Sequence, residues 1–396
     1  MENKLKLAVF NTQPPHLYFG GVERRIMENA KVLTNAVDTT VYSGTKKVFN
    51  KTVVVDGLTV VPCNSTDRLF PLDNWTFNRS IAKKVNEIEA DVYEAHAVSG
   101  YRFVKALNKR RINKPFIQTV HGVLADEYIQ GKKNGSGSFR SRLANLFMGY
   151  LGRLEKEAAQ QASLVVTVSR YSAKRITELY DVNQTKIRVV PNGVDIERFK
   201  PTQQKSNVKE LIGESEHMVL FVGNLIPRKG LHFLIEASKQ VTKESKGIKF
   251  VVVGGGPLKN RLVEYTKKLN VAESFVFLEK VDDKTLPMLY NSADMLVMPS
   301  IQEGQGISLL EAQAAGKPVV AFNVTAVPEA VKNNETGLLV NPDSTELADA
   351  VLRLLSDERL REKMGQAGRR FVTENFSWDI CAKKMFQVYS EAKNEL

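Results

Sequence analysis

DMLVMPSIQEGQGISLLEAQAAGKPVVAFN, from Asp294 to Asn323, reads as a strand, a glycine-broken loop, a helix and a second strand. The helical stretch ISLLEAQAAG is apolar and rich in alanine. It stops at Gly316 with Pro318 behind it, an ordinary helix exit. β-Branched residues then resume in PVVAFN, as a buried strand requires. A strand, helix and strand in this order call for a parallel sheet covered by helices. The stretch also carries two acids, Glu303 amid glycines and Glu311 inside the helix, with seven residues between them. Taken alone they are either solvated surface charges or two parts of one site.

The same alternation extends outward over the whole chain. KLAVF, TTVYS, DVYEAH, PFIQTVH, SLVVTVS and IRVVPN form one series of short apolar runs, and MVLFVGN, KFVVVGG, SFVFLE, DMLVMPS and PVVAFN form a second. At 396 residues the chain exceeds the roughly 100 to 200 residues of one typical core. The fold class expected is therefore α/β, with two Rossmann-like, doubly wound parallel-sheet domains. The polar, proline-containing RFKPTQQKSNVKEL separates the two series. It sets the domains at residues 1–200 and 201–375, with the terminal helix, 376–396, crossing back to the first.

Composition narrows the function. A hydrophobic content of 43% with 25% charged residues suits a soluble globular protein and excludes a disordered chain. Cys63 and Cys381 lie far apart, which supports neither a disulfide framework nor zinc. The five histidines are scattered, so no metal cluster is expected. The N-terminal apolar run is too short for a secretory signal, and no run of about 18 uncharged apolar residues occurs. A cytoplasmic protein is expected. The net charge of +12 points to an anionic partner: nucleic acid, a lipid surface or a phosphorylated substrate. Basicity is concentrated between Arg102 and Lys156, where Asp126, Glu127 and Glu155 are the only acids.

In open parallel sheets, ligands bind beyond the carboxyl ends of the strands, where helix N-termini favour anions. The polar and glycine-rich motifs of this chain stand at such ends. Gly20 and Gly21 precede the amphipathic VERRIMENAKVLT; they either admit a phosphate or make a tight turn with positive φ. Gly254, Gly255 and Gly256 lack dinucleotide-loop spacing because Pro257 follows, and read as a close strand-to-helix turn. Arg228 and Lys229, at the opening of a helix, either supply positive charge to a leaving diphosphate or are a solvated basic pair. His121 closes a strand and precedes Gly122, which aims its imidazole at a cleft; a buried structural histidine is the alternative. Gly304 and Gly306 let backbone N–H groups face a ligand at the start of the next helix, where Ser308 caps or assists. Glu311, one turn in, shares that ligand face with Glu303.

Together these segments resemble the retaining glycosyltransferases of family four, which have the GT-B fold, over essentially the whole chain. The glutamate pair Glu303 and Glu311 is the most specific element. GGVE, VHG, VSRYS, PNGVD, LIPRKG and the terminal FSWDICAKKMFQVYSEA support it by their order. The resemblance implies a donor domain at the C-terminus and an acceptor domain at the N-terminus. It assigns Glu303 to the donor sugar, Glu311 to the ribose hydroxyls, and Lys229 with Gly20 and Gly21 to the diphosphate. His121 then lies near the transferred sugar. Asn224 stands where relatives often have arginine, and Arg228 is expected to replace that charge. Glu279 stands where many have glycine, beside the backbone of Lys280 and Val281 that would recognise the base.

The activity implied is retaining, metal-independent transfer from a UDP- or GDP-linked sugar to a saccharide or lipid-linked acceptor, in glycan, polysaccharide or glycolipid synthesis. No cofactor is expected beyond that donor. Front-face attack with no covalent nucleophile is the mechanism implied, the charge of the leaving diphosphate being met by Lys229, Arg228 and N–H groups near Gly306 and Ile307. A GT-B epimerase or phosphorylase is the alternative enzyme. A nucleic-acid-binding protein would interleave aromatic with basic residues, a pattern not evident here. Phe139, Leu143, Leu146, Phe147, Tyr150 and Leu154 recur at helical spacing with Arg140, Arg142 and Arg153 between them. That stripe either lies on an anionic membrane at its inner face or packs on the sheet. IQGKKNGSGSFR, ahead of it, reads as a loop that orders over the acceptor.

Overall fold

The computed structural model describes residues 4–18, 20–66, 71–134, 139–202 and 208–394. The chain divides into two compact units, Met1–Asn192 with Trp378–Leu396, and Gly193–Ser377.

The first unit is built on eight strands: β1 (Leu5–Phe10), β2 (Val37–Gly44), β3 (Val53–Val55), β4 (Leu58–Cys63), β5 (Val92–His96), β6 (Phe116–Val120), β7 (Leu164–Thr167) and β8 (Ile187–Val189). Their order is β3-β4-β2-β1-β5-β6-β7-β8, and every pair is parallel except the β3–β4 hairpin. That hairpin lies outside the strand series expected from sequence. Its turn is Asp56-Gly57, with φ of 49° and 80°, the paired positive angles for which Asp-Gly is the strongest short-range signal.

β1 shows why these strands read as unbroken apolar runs. Leu5, Leu7 and Val9 pack with Ile26, Leu33, Met385 and Tyr389, while Ala8 and Phe10 pack with Phe77, Phe103 and Val165 on the other face. Both faces are covered, so alternation in direction does not become alternation in polarity. One cover is the helix Gly21–Leu33 together with the C-terminal helix Trp378–Asn394. The latter buries Ala382, Met385, Val388, Tyr389 and Ala392, a stripe at helical spacing.

The second unit holds six strands: β9 (His217–Val222), β10 (Ile248–Val253), β11 (Phe275–Leu278), β12 (Met295–Met298), β13 (Val319–Phe322) and β14 (Gly337–Val340). All are parallel, in the order β11-β10-β9-β12-β13-β14. β14 is also additional to the expected series. Val219 and Phe221 face Leu234 and Val351, while Met218 and Leu220 face Leu289, Leu309 and Leu310. The double-sided core is repeated.

In each sheet the direction of winding reverses once, between β1 and β5 and between β9 and β12. Chains leaving two such neighbouring strands depart to opposite faces, which opens a crevice at their carboxyl ends. The loops that follow β1, β5, β9 and β12 are the ones that matter below.

Candidate active site

At the second reversal, the loop after β9 and the loop after β12 are joined backbone to backbone. Ile301 N–H donates to the Arg228 carbonyl at 2.9 Å. Gly230 has φ of 64°, and a Cβ there would sit 1.9 Å from the Pro299 carbonyl oxygen, so only glycine allows the approach. Gly254, with φ of 141°, and Gly256, with φ of 154°, do the same for the neighbouring loop: added Cβ atoms would meet Gly223 O at 2.1 Å and Leu225 O at 2.6 Å. The triple glycine therefore serves contact between loops.

This closure brings three sequence-predicted residues together. Lys229 Nζ lies 2.5 Å from Glu303 Oε1. Arg228 Nη1 is 3.7 Å from Glu303 Oε2 and donates to the Gln302 carbonyl at 3.2 Å. Thr325 fixes the glutamate's backbone, accepting from Glu303 N–H and donating to Glu303 O, each at 3.0 Å. Burial acts to raise the Glu303 carboxyl, but the charges of Lys229 and Arg228 and the hydrogen bond from Lys229 outweigh it, leaving the pKa lowered. Two cations and one carboxylate leave this corner net positive.

Glu311 is held separately. Its Oε2 accepts from the buried hydroxyl of Tyr290 at 2.8 Å, and Phe199 packs edge-on against that ring at 5.4 Å. Its helix, Ile307–Ala314, opens at Gly306, where φ is 88° and no side chain caps the first turn. Ser308 does not cap, contrary to one expectation: its hydroxyl donates to Met298 Sδ at 3.4 Å, toward β12. Asn224 is exposed at the end of β9. After β11, Lys280 is exposed and Val281 packs against the core. Glu279 pairs with Lys259 at 2.8 Å.

The first unit carries the remaining residues. Gly20 has φ of −89° and ψ of 172°, which any residue adopts, so a tight positive-φ turn is not what these glycines make. They open the helix Gly21–Leu33, again with no side-chain cap. His121, after β6, meets a residue that sequence reasoning passed over: its Nε2 is 2.8 Å from His96 Nδ1, with the rings stacked at 5.1 Å. Burial lowers His96 to about 3, helped by the Arg25 charge. Burial also holds His121 well below its ordinary value, with His96 and Arg25 adding to the effect. Both imidazoles are neutral at physiological pH. Histidines scattered in sequence thus meet in space, because β5 and β6 are neighbours. DVYEAH did hold a signal, since Glu94 and His96 stand two apart and share one face of a strand buried throughout. Tyr290 and Thr325 offered none, coming from elements with no motif of their own.

The basic helix divides. Leu154 packs against the core, while Leu146 (66% exposed), Phe147, Tyr150 and Arg153 are exposed. The side chains of Phe139, Arg140, Arg142 and Leu143 lie outside the described residues. Residues 129–134 of the expected acceptor loop form the end of the helix Leu124–Asn134, and 135–138 are outside the described residues. This helix runs antiparallel to Phe139–Gln161: Leu124 N–H donates to Glu155 at 3.1 Å, and Gly149 sits against the Tyr128 ring. Leu146 through Tyr150 therefore lie past the level at which β6 ends. Also near the carboxyl ends of this sheet, exposed Trp75 and Leu72 begin the helix Leu72–Lys83, with the Arg79 and Arg102 guanidinium groups each 5.6 Å from the indole. Among the described residues no helix is long and apolar enough to cross a membrane, and no group of three or more His, Cys, Asp or Glu could hold a metal ion. Cys63 and Cys381 are free and buried.

Comparison with known proteins places this geometry. Residues 19–198 match the family described as Glycosyltransferase Family 4, and residues 202–371 match Glycosyl transferases group 1. An uncharacterised glycosyltransferase of Methanocaldococcus jannaschii is 33% identical over 320 residues, covering 78% of each chain. The chain belongs to glycosyltransferase family 4. This glycosyltransferase is also 31% identical to a D-inositol 3-phosphate glycosyltransferase of Salinispora arenicola, over 72% of its own length and 65% of that protein. It is 35% identical to a GDP-mannose-dependent phosphatidylinositol monomannoside mannosyltransferase of Mycobacterium tuberculosis, over 56% of its length and 60% of that protein. Its fold is GT-B. Sucrose-phosphate synthase from Thermosynechococcus elongatus superimposes with a TM-score of 0.84 at 20% identity, covering 99% and 100% of the two chains. HepE of Anabaena, in complex with UDP and glucose, gives 0.78 at 20% identity, covering 98% and 100%.

Proposed function

We propose that this glycosyltransferase moves a sugar, with retention and without a metal ion, from a nucleoside-diphosphate sugar to an acceptor hydroxyl. The observation that carries the reading is the Arg228–Lys229–Glu303 cluster at the β9–β12 reversal. A leaving diphosphate gains negative charge as the bond from sugar C1 to phosphate oxygen breaks. Lys229, Arg228 and the uncapped N–H groups of Ile307 and Ser308 offset that charge, which is the service a divalent cation would otherwise supply. Lys229 leaves Glu303 for the phosphate, and Glu303 is released to accept hydrogen bonds from the donor sugar. The acceptor oxygen forms the new bond to C1 on the face from which the diphosphate departs, and its proton passes to the departing phosphate oxygen. Glu311, steadied by Tyr290, accepts from the ribose hydroxyls.

A lipid-linked acceptor suits the first unit. Exposed Leu72, Trp75, Leu146, Phe147 and Tyr150, with Arg79, Arg102 and Arg153 among them, combine apolar and aromatic groups with positive charge. An anionic lipid surface is bound by that combination. The mannosyltransferase relative is named for a phosphatidylinositol mannoside acceptor.

The test is a thermal-shift screen with UDP, GDP and their sugars, because a ligand that binds only the folded state raises its melting temperature. A shift with one nucleotide family, abolished in Lys229→Ala, is expected. No shift with any of them overturns the donor assignment. NMR of the product's anomeric coupling then checks retention, and inversion refutes it. Flotation with anionic vesicles, against neutral vesicles, checks the surface; absence from both fractions removes the membrane claim.

A further inference from the structure

We propose that Glu94 is a positioning residue that sets the tautomer of His121 through His96, so that His121 presents a lone pair, not an N–H, at Nδ1. The inference rests on the reading that His121 faces the transferred sugar. It does not depend on which donor is bound.

The chain of contacts is continuous. Thr119 Oγ1 and Tyr389 OH each donate to Glu94, at 2.6 Å to Oε1 and 2.6 Å to Oε2. Glu94 Oε1 faces His96 Nε2 at 3.5 Å. His96 Nδ1 is 2.8 Å from His121 Nε2. Glu94 and His96 are buried, while His121 is partly exposed and so is the end of the chain that a substrate can reach.

Two hydroxyl donors, one on each oxygen, fit an acceptor-only carboxylate. Burial raises the Glu94 pKa, and the hydrogen bonds from Thr119 and Tyr389 and the guanidinium of fully buried Arg25 act against that rise in favour of the carboxylate. Arg25 is itself fixed by donating to Val190 O at 2.8 Å and Asn192 Oδ1 at 3.1 Å.

A nitrogen lone pair directed at a carboxylate is repelled by it, whereas an N–H is attracted. Glu94 therefore places the His96 proton on Nε2. A neutral imidazole has one N–H, so His96 Nδ1 is then an acceptor. The 2.8 Å contact needs one proton, which His121 Nε2 must supply. His121 Nδ1 is left as the acceptor, suited to a sugar hydroxyl and unsuited to a phosphate oxygen. The alternative arrangement, with Nδ1–H on both rings, would satisfy the same 2.8 Å contact. It is disfavoured by the carboxylate behind His96.

15N NMR of the ligand-free protein labelled at histidine reads the tautomers directly, each signal assigned by replacing one histidine at a time. The wild type should show protonated Nε2 and unprotonated Nδ1 at both His96 and His121. In Glu94→Gln the side-chain amide can donate to His96 Nε2, so both tautomers should reverse. kcat should fall at least about tenfold while KM for the donor stays within about twofold, because an N–H replaces the lone pair that accepts from the sugar hydroxyl as transfer proceeds. Nδ1–H at His121 in the wild type overturns the proposal, and so does a Glu94→Gln spectrum in which the tautomers are unchanged. The wild-type spectrum needs no substitution, so a variant that fails to fold does not remove the test. Because no nucleotide sugar is present, a failed donor screen and a failed tautomer assignment are separate results.

Discussion

The crevice ends of the two sheets share a topology and differ in electrostatics. At the β9–β12 reversal a buried carboxylate is kept ionised by two cations, and its pKa is lowered. At the ends of β5 and β6 two imidazoles are held neutral, chiefly by burial, and their pKa values are lowered. Burial works against the charged form in both places. In the second unit the charges of Lys229 and Arg228 outweigh burial, whereas in the first the charge of Arg25 adds to it. The lesson is that both sheets present loops at the carboxyl ends of their strands, and the side chains entering them decide whether the site offers charge or a lone pair.

Removing charge from the second unit should have the largest effect. Lys229→Ala takes away the closest cation and leaves Glu303 buried with Arg228 alone. A fall of about 10²- to 10³-fold in kcat/KM is expected, the usual loss when one preorganised donor to a developing charge is removed. Glu303→Ala should slow transfer, with kcat falling more than donor affinity. A pure KM effect in steady-state kinetics would show that it serves binding alone.

Glu311→Ala should do the reverse. Loss of charged hydrogen bonds worth roughly 1.5–3 kcal/mol should raise donor KM about 10- to 100-fold with kcat nearly preserved. Calorimetric donor titration checks it. If Glu303→Ala and Glu311→Ala exchange these patterns, the assignment of sugar and ribose is reversed.

Acid sharpens the comparison further. A histidine whose folded pKa lies below its unfolded value binds more protons when unfolded, so its contribution to stability is complete above about 6.5 and is lost as pH falls toward 3 for His96. Glu303 has a lowered pKa too, but its contribution is complete above about 4.5 and begins to disappear only below that value. Glu94, raised by burial, opposes the histidine trend. Trp75 and Trp378 both belong to the first unit, so tryptophan fluorescence follows that unit alone. Its melting temperature should decline between pH 6.5 and 4.5, less than the histidines alone would give because Glu155 is raised to about 8. Hydrogen-exchange protection in the second unit, corrected for the intrinsic pH dependence of exchange, should decline less, through the lowered His232. His96→Gln should flatten the decline, and an equal loss in both units would break the contrast.

Arg228→Ala should give the smallest change. Its guanidinium is 3.7 Å from Glu303 and one-third exposed, so solvent screens it more than Lys229. A few-fold loss of donor affinity is expected in the same titration. No loss in a folded protein would show that Arg228 does not replace the charge absent at Asn224.

Much of this was legible before the structure. Apolar runs such as MVLFVGN and KFVVVGG announce strands buried on both faces, since burial leaves no polar alternation. The segment from Glu303 to Gly316 carries its loop, helix and exit in local residue chemistry. The β3–β4 hairpin had its Asp-Gly signal as well, but it sits outside the strand and helix rhythm on which the reading relied. Local chemistry is encoded in neighbours along the chain, and those features depend on neighbours alone. Contacts between distant segments are set by which strands lie side by side and by how closely their loops approach. Only the tertiary structure joined Lys229 to Glu303, gave Glu311 to Tyr290, and set His96 between Glu94 and His121. The same packing removed the water that would have made all of these charges alike.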